Sequence, residues 1–367
     1  MRITKVEALP VRTPMRRFTD AYSDYLTGQF VIVEVHTDSG IVGYGEAPCT
    51  VTVGFYGETL ESTVGAIRNH IAPKLLGEDP LNIRRITSLA NIAHGRAVLA
   101  KTGIDLAIYD VAGKALRLPV STLLGGMQRE IVPAASEIGI SKADEMVREA
   151  QRLVEIGFKV IKIKAGRNFE EEVRGVRAVR QALGSDVELR VDPNAGWTRL
   201  ETLKALKAFA RDEVAYVEQP LPSWDLEGHA WLRKATGVPI MLDESVWTPQ
   251  DVIKVAKAKA ADIINIKITK AGGLKNSIDI YTTARAVGIP CMIGTELESS
   301  VAFAGKLQIA SALENLPFAC EFTELAFQRM VLKEPIKLDN GYLKVPTSPG
   351  LGFVPDMPIV EKNVVPV

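Results

Sequence analysis

The sequence of 367 residues is poor in the features that mark several large functional classes. It has no excess charge: 44 Lys and Arg balance 44 Asp and Glu, for a formal net charge of zero. A nucleic-acid binder would show a basic excess or a basic stripe, so nucleic acid is not an expected partner. No apolar run approaches the roughly 18 residues of a membrane-spanning helix, so no membrane partner is expected either. The opening M-R-I-T-K-V-E-A-L-P lacks the apolar stretch of a signal peptide, and a cytoplasmic location is expected. Only three cysteines occur, Cys49, Cys291 and Cys320, with no CxxC among them. That argues against a disulfide framework and against a zinc knuckle. The four histidines, His36, His70, His94 and His229, are scattered, which weakens any His-rich metal site. No Gly-x-Gly-x-x-Gly follows an early strand, so a doubly wound dinucleotide-binding sheet is disfavoured.

What is present is an ordinary globular composition, 47% apolar and 24% charged, long enough for a large core. At about 150 residues per domain the length fits two domains. Residues 1–125 read as mixed α+β. Ile3–Val11 and Phe30–His36 alternate as strands, and Thr37–Gly40 reads as a hairpin turn into Ile41–Glu46. Helical patterns follow near Leu60–Ile71 and Ala97–Ala115.

From about Ile131 the rhythm changes. Eight short β-branched runs alternate with amphipathic helices: Val132–Glu137, Val160–Lys164, Glu188–Asp192, Ala215–Glu218, Ile240–Asp243, Ile263–Lys267, Cys291–Thr295 and Phe318–Phe322. Each ends in a polar residue or just short of one, and from Lys164 to Asp192, Glu218, Asp243 and Lys267 the steps are 28, 26, 25 and 24 residues. A βα unit repeated at that period predicts an α/β fold with a (β/α)8 TIM-type barrel. After Leu325 the repeat is lost. A strand pair around Asp339–Gly341 follows, then a Ser348–Gly352 loop. The expected organisation is an α+β capping domain over 1–125, a barrel over 126–325, and a tail over 326–367 returning to the capping domain.

In such barrels the active site lies at the C-terminal ends of the strands, so strand-end residues converge. Here they are Lys162 and Lys164, Asp192, Glu218, Asp243 and Lys267. Three strands delivering one carboxylate each make an oxygen-rich anionic pocket that either shares protons or holds a hard cation. All-oxygen ligation favours Mg2+, with Mn2+ as substitute, over zinc. Lys162 and Lys164 are two apart on a strand and face the same side, the barrel interior. A lysine beside another lysine and a divalent cation is expected to have a lowered pKa, tuned toward a general base. Lys267 stands roughly across the barrel. Metal plus opposed lysines suits removal of a proton α to a carboxylate. Taken singly, a strand-end Asp or Glu is more often a helix cap or an ion-pair partner, and Asp192 before Pro193-Asn194 could serve a turn. Five such residues at near-equal spacing are not explained that way. A Schiff-base lyase with Lys162, Lys164 or Lys267 as nucleophile is the reading from another class. It leaves the acidic trio without a role.

These strings resemble the enolase superfamily, and within it the muconate lactonizing enzyme subgroup. The matching segments are K-I-K-A-G (Lys162–Gly166), D-P-N-A-G-W (Asp192–Trp197), E-Q-P (Glu218–Pro220), D-E-S (Asp243–Ser245), N-I-K-I-T-K-A-G-G (Asn265–Gly273) and G-T-E-L-E-S (Gly294–Ser299). D-S-G-I-V-G-Y-G-E-A (Asp38–Ala47) and the stretch from Thr102 to Gly126 resemble its capping domain. The resemblance implies a modified barrel of the (β/α)7β type, with Asp192, Glu218 and Asp243 as magnesium ligands. Lys164 and Lys267 would be the opposed acid/base residues, and Lys162 the neighbour that tunes Lys164. Asn194 and Glu244 match positions flanking the metal. Glu298, Thr295, Glu321 and Tyr56 are expected against substrate, under capping segments Phe18–Thr27 and Thr52–Tyr56. No histidine follows the seventh strand, which disfavours the mandelate racemase pattern. Dipeptide epimerases of the subgroup usually carry Asp-x-Asp on strand eight, where this chain has Glu321 and Thr323. Cys320-Glu321-Phe322 looks more like the muconate cycloisomerases. The resemblance therefore implies a Mg-dependent isomerase acting on a small carboxylate, cycloisomerase-like first, with an amino-acid or N-acylamino-acid racemase, or a dipeptide or proline-derivative epimerase, as alternative. It also implies a homo-oligomer, dimer or octamer.

Overall fold

The computed structural model describes residues 1–50, 53–322 and 331–367. Three antiparallel strands, β1 (Ile3–Thr19), β2 (Asp24–Thr37) and β3 (Val42–Pro48), form the capping sheet in the order β1-β2-β3. β1 and β2 run further than the alternation predicts. Phe18 pairs with Tyr25 and Thr19 with Asp24, so the segment expected as a loose cover is the tip of a hairpin. The Asp20 carboxylate fixes that tip by accepting from the Tyr22 and Ser23 backbone N–H groups at 2.8 and 2.9 Å. The second expected cover lies partly outside the described residues; Phe55 and Tyr56 are described.

The sheet packs on the helix Val98–Leu116, whose residues from Leu99 to Gly113 are all buried. Close approach is possible because β3 presents glycines. A Cβ at Gly45 would lie 2.0 Å from the Gly103 carbonyl oxygen, and one at Gly43 would lie 2.3 Å from that of Ala107.

The barrel strands are β4 (Ile131–Ile138), β5 (Val160–Lys164), β6 (Glu188–Asp192), β7 (Val214–Glu218), β8 (Ile240–Leu242), β9 (Ile263–Ile266), β10 (Cys291–Ile293) and β11 (Cys320–Glu321). They pair in parallel from β4 through β10, and β11 pairs in parallel with β4. Helices fill the seven connections between them, which is the (β/α)7β arrangement. A hairpin of β12 (Leu338–Asp339) and β13 (Tyr342–Lys344) turns at Asn340 and Gly341, both with positive φ. β13 extends the barrel sheet at the base of β4, while Val364 bridges to Val11 and Gly350 to Pro119 in the capping domain. No helix among the described residues is long and apolar enough to cross a membrane.

Two buried carboxylates join the capping domain to the barrel, and a third, Asp110, beside Lys114 at 2.6 Å, holds the tail. Glu46 on β3 accepts from the backbone N–H groups of Ser299 and Ala302 at 2.7 and 2.9 Å, at the start of the helix Ser300–Ala312. Asp105 accepts from the Leu274 N–H at 2.6 Å, at the start of Leu274–Ala286. Asp110 accepts from Tyr44 and Leu351 N–H groups at 2.8 and 2.9 Å. The capping domain thereby holds the loops that follow β9 and β10, which carry half of the site.

Candidate active site

Strand register brings the charged side chains together. In β4–β5 the Cα of Glu137 pairs with that of Lys162, and in β5–β6 Lys164 pairs with Asp192. All point into the barrel, because residues two apart share a face. Lys162 is fully buried and stands 2.7 Å from Glu137, 2.5 Å from Glu321, 3.2 Å from Glu218 and 3.5 Å from Asp192. Lys164 lies 2.6 Å from Asp192, and its Nζ also donates to the Asn194 Oδ1 at 3.3 Å. Asp243 follows β8, and Lys267 follows β9 as the cap of a short helix, Ile268–Ala271. Lys267 is 2.6 Å from Asp243 and 2.6 Å from Glu296. Lys270, one helical turn on, is 2.5 Å from the other Asp243 oxygen and donates to the Val246 carbonyl at 3.0 Å.

Glu244, beside Asp243, accepts from the Tyr22 hydroxyl at 3.0 Å and from the Asn194 amide at 3.2 Å. Tyr22 lies on the capping hairpin, so this pair of bonds ties the cap to the barrel mouth. Gln219 organises the next loop, its Oε1 accepting from the Asp243 and Ser245 N–H groups at 3.0 and 3.2 Å.

The electrostatics are those of crowded anions. Burial, together with Asp192, Glu321 and Asp243, pushes Glu218 far above the usual carboxylate range despite Lys162. Burial also lifts Glu244 to about 8, with Asp243 and Asp192 adding to it. Burial likewise opposes ionisation of Asp243, but Lys267 and Lys270 outweigh it and hold that carboxyl well below its ordinary value. The lysines shift opposite to the direction expected from Lys162 standing beside Lys164. Burial would lower them, but the surrounding carboxylates outweigh it: Glu137, Glu218, Glu321 and Asp192 raise Lys162, and Asp192 and Glu137 raise Lys164. Lys267 is raised in the same way by Asp243 and Glu296. Without a further cation, each lysine is an ammonium paired to an anion.

A narrow cavity opens above these groups, lined by Lys164 and Lys267 with Glu137, Asn194, Thr295 and Glu296, and roofed by Phe18, Asp20, Tyr22 and Phe55. A wider cleft of about 610 Å3 beside it shares Phe18, Glu137 and Leu297 but none of the lysines of the site. The donor set at the floor suits a hard cation in kind: Asp192, Glu218 and Asp243 offer only oxygen and all three are fully buried. Lysines stand among these oxygens, which are not gathered within 4.8 Å of one another.

Of the four residues expected against substrate, Thr295 lines the cavity. The structure turns the other three toward protein partners. Glu298 is bonded to Lys306, to the Thr295 hydroxyl at 2.8 Å and to the Glu296 N–H at 2.6 Å. Leu297 between the two acids has φ 54, and this left-handed residue points Glu296, not Glu298, at Lys267. Glu321 is held by Lys162 and by the Thr295 N–H at 3.0 Å. The Tyr56 hydroxyl bonds to Thr269 at 2.9 Å, and Phe55 takes the cavity-facing place. Thr323 lies outside the described residues.

Sequence comparison bears on what this constellation is. The family described as "Mandelate racemase / muconate lactonizing enzyme, N-terminal domain" matches residues 3–125, and "Enolase C-terminal domain-like" matches residues 145–359. The chain belongs to the enolase superfamily, in the muconate lactonizing enzyme subgroup. It is 35% identical to muconate cycloisomerase 1 of Rhodococcus opacus over 98% of this chain and 97% of that one. It is 32% identical to an N-succinyl-L-Arg/Lys racemase of Bacillus cereus over 96% and 95%. The solved dipeptide epimerase of Enterococcus faecalis, complexed with Mg and a dipeptide, superposes with a TM-score of 0.91 at 31% identity, over 96% of this chain and 99% of that one. This enolase-superfamily chain is thus an isomerase, with relatives divided between cycloisomerases and racemases or epimerases.

Sequence reasoning missed four residues of this enolase-superfamily site. Glu137 ends the first strand run and was open to the same strand-end argument as the rest. Lys270 sits one turn after Lys267 in the N-I-K-I-T-K string, a spacing that aims both at one carboxylate. Glu296 and Asp20 depend on backbone turns that carry no periodic signal.

Proposed function

We propose that the chain moves a proton at the carbon α to a substrate carboxylate, with Asp192, Glu218 and Asp243 holding Mg2+ and with Lys164 and Lys267 on opposite sides of the reacting carbon. The observation that carries this reading is that both lysines line one narrow cavity while each touches a different carboxylate of the trio. Magnesium, when bound there, supplies positive charge against the negative charge that grows on the substrate carboxylate as the proton leaves. Asp192 and Asp243 then serve as ligands and no longer as the lysines' counter-ions. Lys164 or Lys267 takes the proton at Nζ in its neutral form, and the other, as ammonium, returns one to the opposite face. That two-sided exchange is racemisation or epimerisation. Lys162, surrounded by four carboxylates, is a fixed ammonium that orders Glu137, Glu218 and Glu321. Lactonisation of an unsaturated diacid is the second reading, favoured by Cys320-Glu321-Phe322, and uses one lysine productively. The close pairing of every lysine with carboxylates disfavours a free-amine nucleophile, as a Schiff-base lyase needs.

The test is solvent deuterium uptake at the α-carbon, followed by mass spectrometry over dipeptides, N-succinylamino acids and muconates with Mg2+ present. Exchange into both stereoisomers of a substrate supports the two-lysine reading. Deuterium only in a lactone product supports the second reading, and full turnover in excess EDTA contradicts both.

A further inference from the structure

We propose that the cavity takes a substrate bearing an amino or substituted ammonium group as well as its carboxylate, the cation being held between Asp20 and Glu296. The placement of the substrate carboxylate rests on the function proposed above; the cation subsite rests on these two residues. Asp20 and Glu296 line the same narrow cavity as Lys164 and Lys267, from opposite domains. Each is 5% exposed. Asp20 comes from the capping hairpin, its carboxylate oriented by the Tyr22 and Ser23 N–H groups and, at 3.1 Å, by the Tyr25 hydroxyl. Glu296 enters from the loop after β10, where the left-handed Leu297 leaves it facing the cavity and Lys267. A carboxylate anchored this way is a preorganised acceptor and does not reorganise on binding.

The charge around the cavity points the same way. Among the described residues, and leaving out Glu244 as neutral, the site gathers the carboxylates of Asp20, Glu137, Asp192, Glu218, Asp243, Glu296 and Glu321 against the ammonium groups of Lys162, Lys164, Lys267 and Lys270. A doubly charged metal leaves that balance negative, and a substrate carboxylate makes it more so. A dianion would deepen the excess; a substrate cation relieves it. Burial, with Asp243 adding, lifts Glu296 to about 7 even though Lys267 opposes the shift. The strand-eight acid does not line this cavity; Glu321 lies beneath it against Lys162 and the Thr295 N–H. The roof suits a cation as well: the Phe55 ring already faces one, with the Lys267 Nζ 5.3 Å from its centroid.

The experiment is calorimetric binding to the Mg-loaded protein of three probes: L-alanyl-L-leucine, its N-acetyl derivative, and cis,cis-muconate. The free amine is expected to bind roughly tenfold or more tighter than either anion, the scale of one charge-assisted contact. Glu296→Gln and Asp20→Asn, isosteric and on different domains, are each expected to remove most of that preference, with thermal unfolding reporting that they fold. Amine binding no tighter than the N-acetyl compound or muconate, undetectable amine binding included, would overturn the proposal. So would a preference that survives both substitutions. Deuterium uptake by the same dipeptide is read separately: a lost preference with exchange intact removes the cation subsite alone, whereas a retained preference without exchange removes the proton-transfer reading alone.

Discussion

At the junction between capping domain and barrel, Glu46 and Asp105 are buried and bonded to backbone N–H groups of Ser299, Ala302 and Leu274. At the barrel mouth Asp192, Glu218, Asp243 and Glu321 are as deeply buried, but their close partners are mainly lysines. The first group meets fixed dipoles that can neither titrate nor leave, and it therefore stabilises a particular arrangement of two domains. The second meets charges that can move, lose protons or be exchanged for a cation. Burial alone does not mark a functional carboxylate; the kind of partner does.

Breaking the mouth should cost activity most. Lys164→Ala and Lys267→Ala are each expected to lower turnover by about 10²–10⁴-fold, with far-ultraviolet circular dichroism unchanged. Glu46→Ala should do the reverse. Two backbone donors lose their acceptor, so chemical denaturation should show a loss of about 1–3 kcal/mol, with Mg2+ affinity retained. Glu218→Gln is its counterpart at the mouth: without metal the variant should be about as stable as the parent, because burial already favours the uncharged Glu218 side chain that Gln mimics.

The junction also sets a pH dependence. Burial raises both Glu46 and Asp105 to about 7 in the folded chain. Both values lie above the ordinary carboxylate range that applies when the chain is unfolded, so between roughly pH 4 and 7 the native state binds more protons than the unfolded one. Unfolding free energy should fall as pH rises through that window, by at most about 1.4 kcal/mol per pH unit for each group. In Glu46→Gln and Asp105→Asn the slope measured by urea unfolding should flatten. A smaller effect is expected from Tyr22→Phe, which removes one hydrogen bond to Glu244 at roughly 0.5–1.5 kcal/mol. A few-fold rise in KM with little change in kcat would show the cap closing less firmly.

The strand period made the floor of the site legible, because β5 and β6 end where their polar residues do, at Lys164 and Asp192. Later strands are shorter than their apolar runs, and Asp243 and Lys267 lie just beyond them, yet convergence still holds because both follow adjacent strands directly. The roof was not legible in the same way. Two acids at Glu296 and Glu298 look equivalent in sequence, and the difference is one positive φ at Leu297. Tyr56 and Phe55 exchange roles because a hydroxyl finds Thr269. The raised lysines had a different cause: without a cation Asp192 and Asp243 are the counter-ions of Lys164 and Lys267, and Glu137 and Glu296, which spacing alone did not assign to the site, add to them.

The most direct test of the difference between mouth and junction is a calorimetric Mg2+ titration of the purified chain and its variants. The expected result is one Mg2+ per chain, lost or strongly weakened in Asp192→Asn, Glu218→Gln and Asp243→Asn and retained in Glu46→Gln. Absence of Mg2+ binding by the parent chain, or equal affinity in all four variants, would contradict the account.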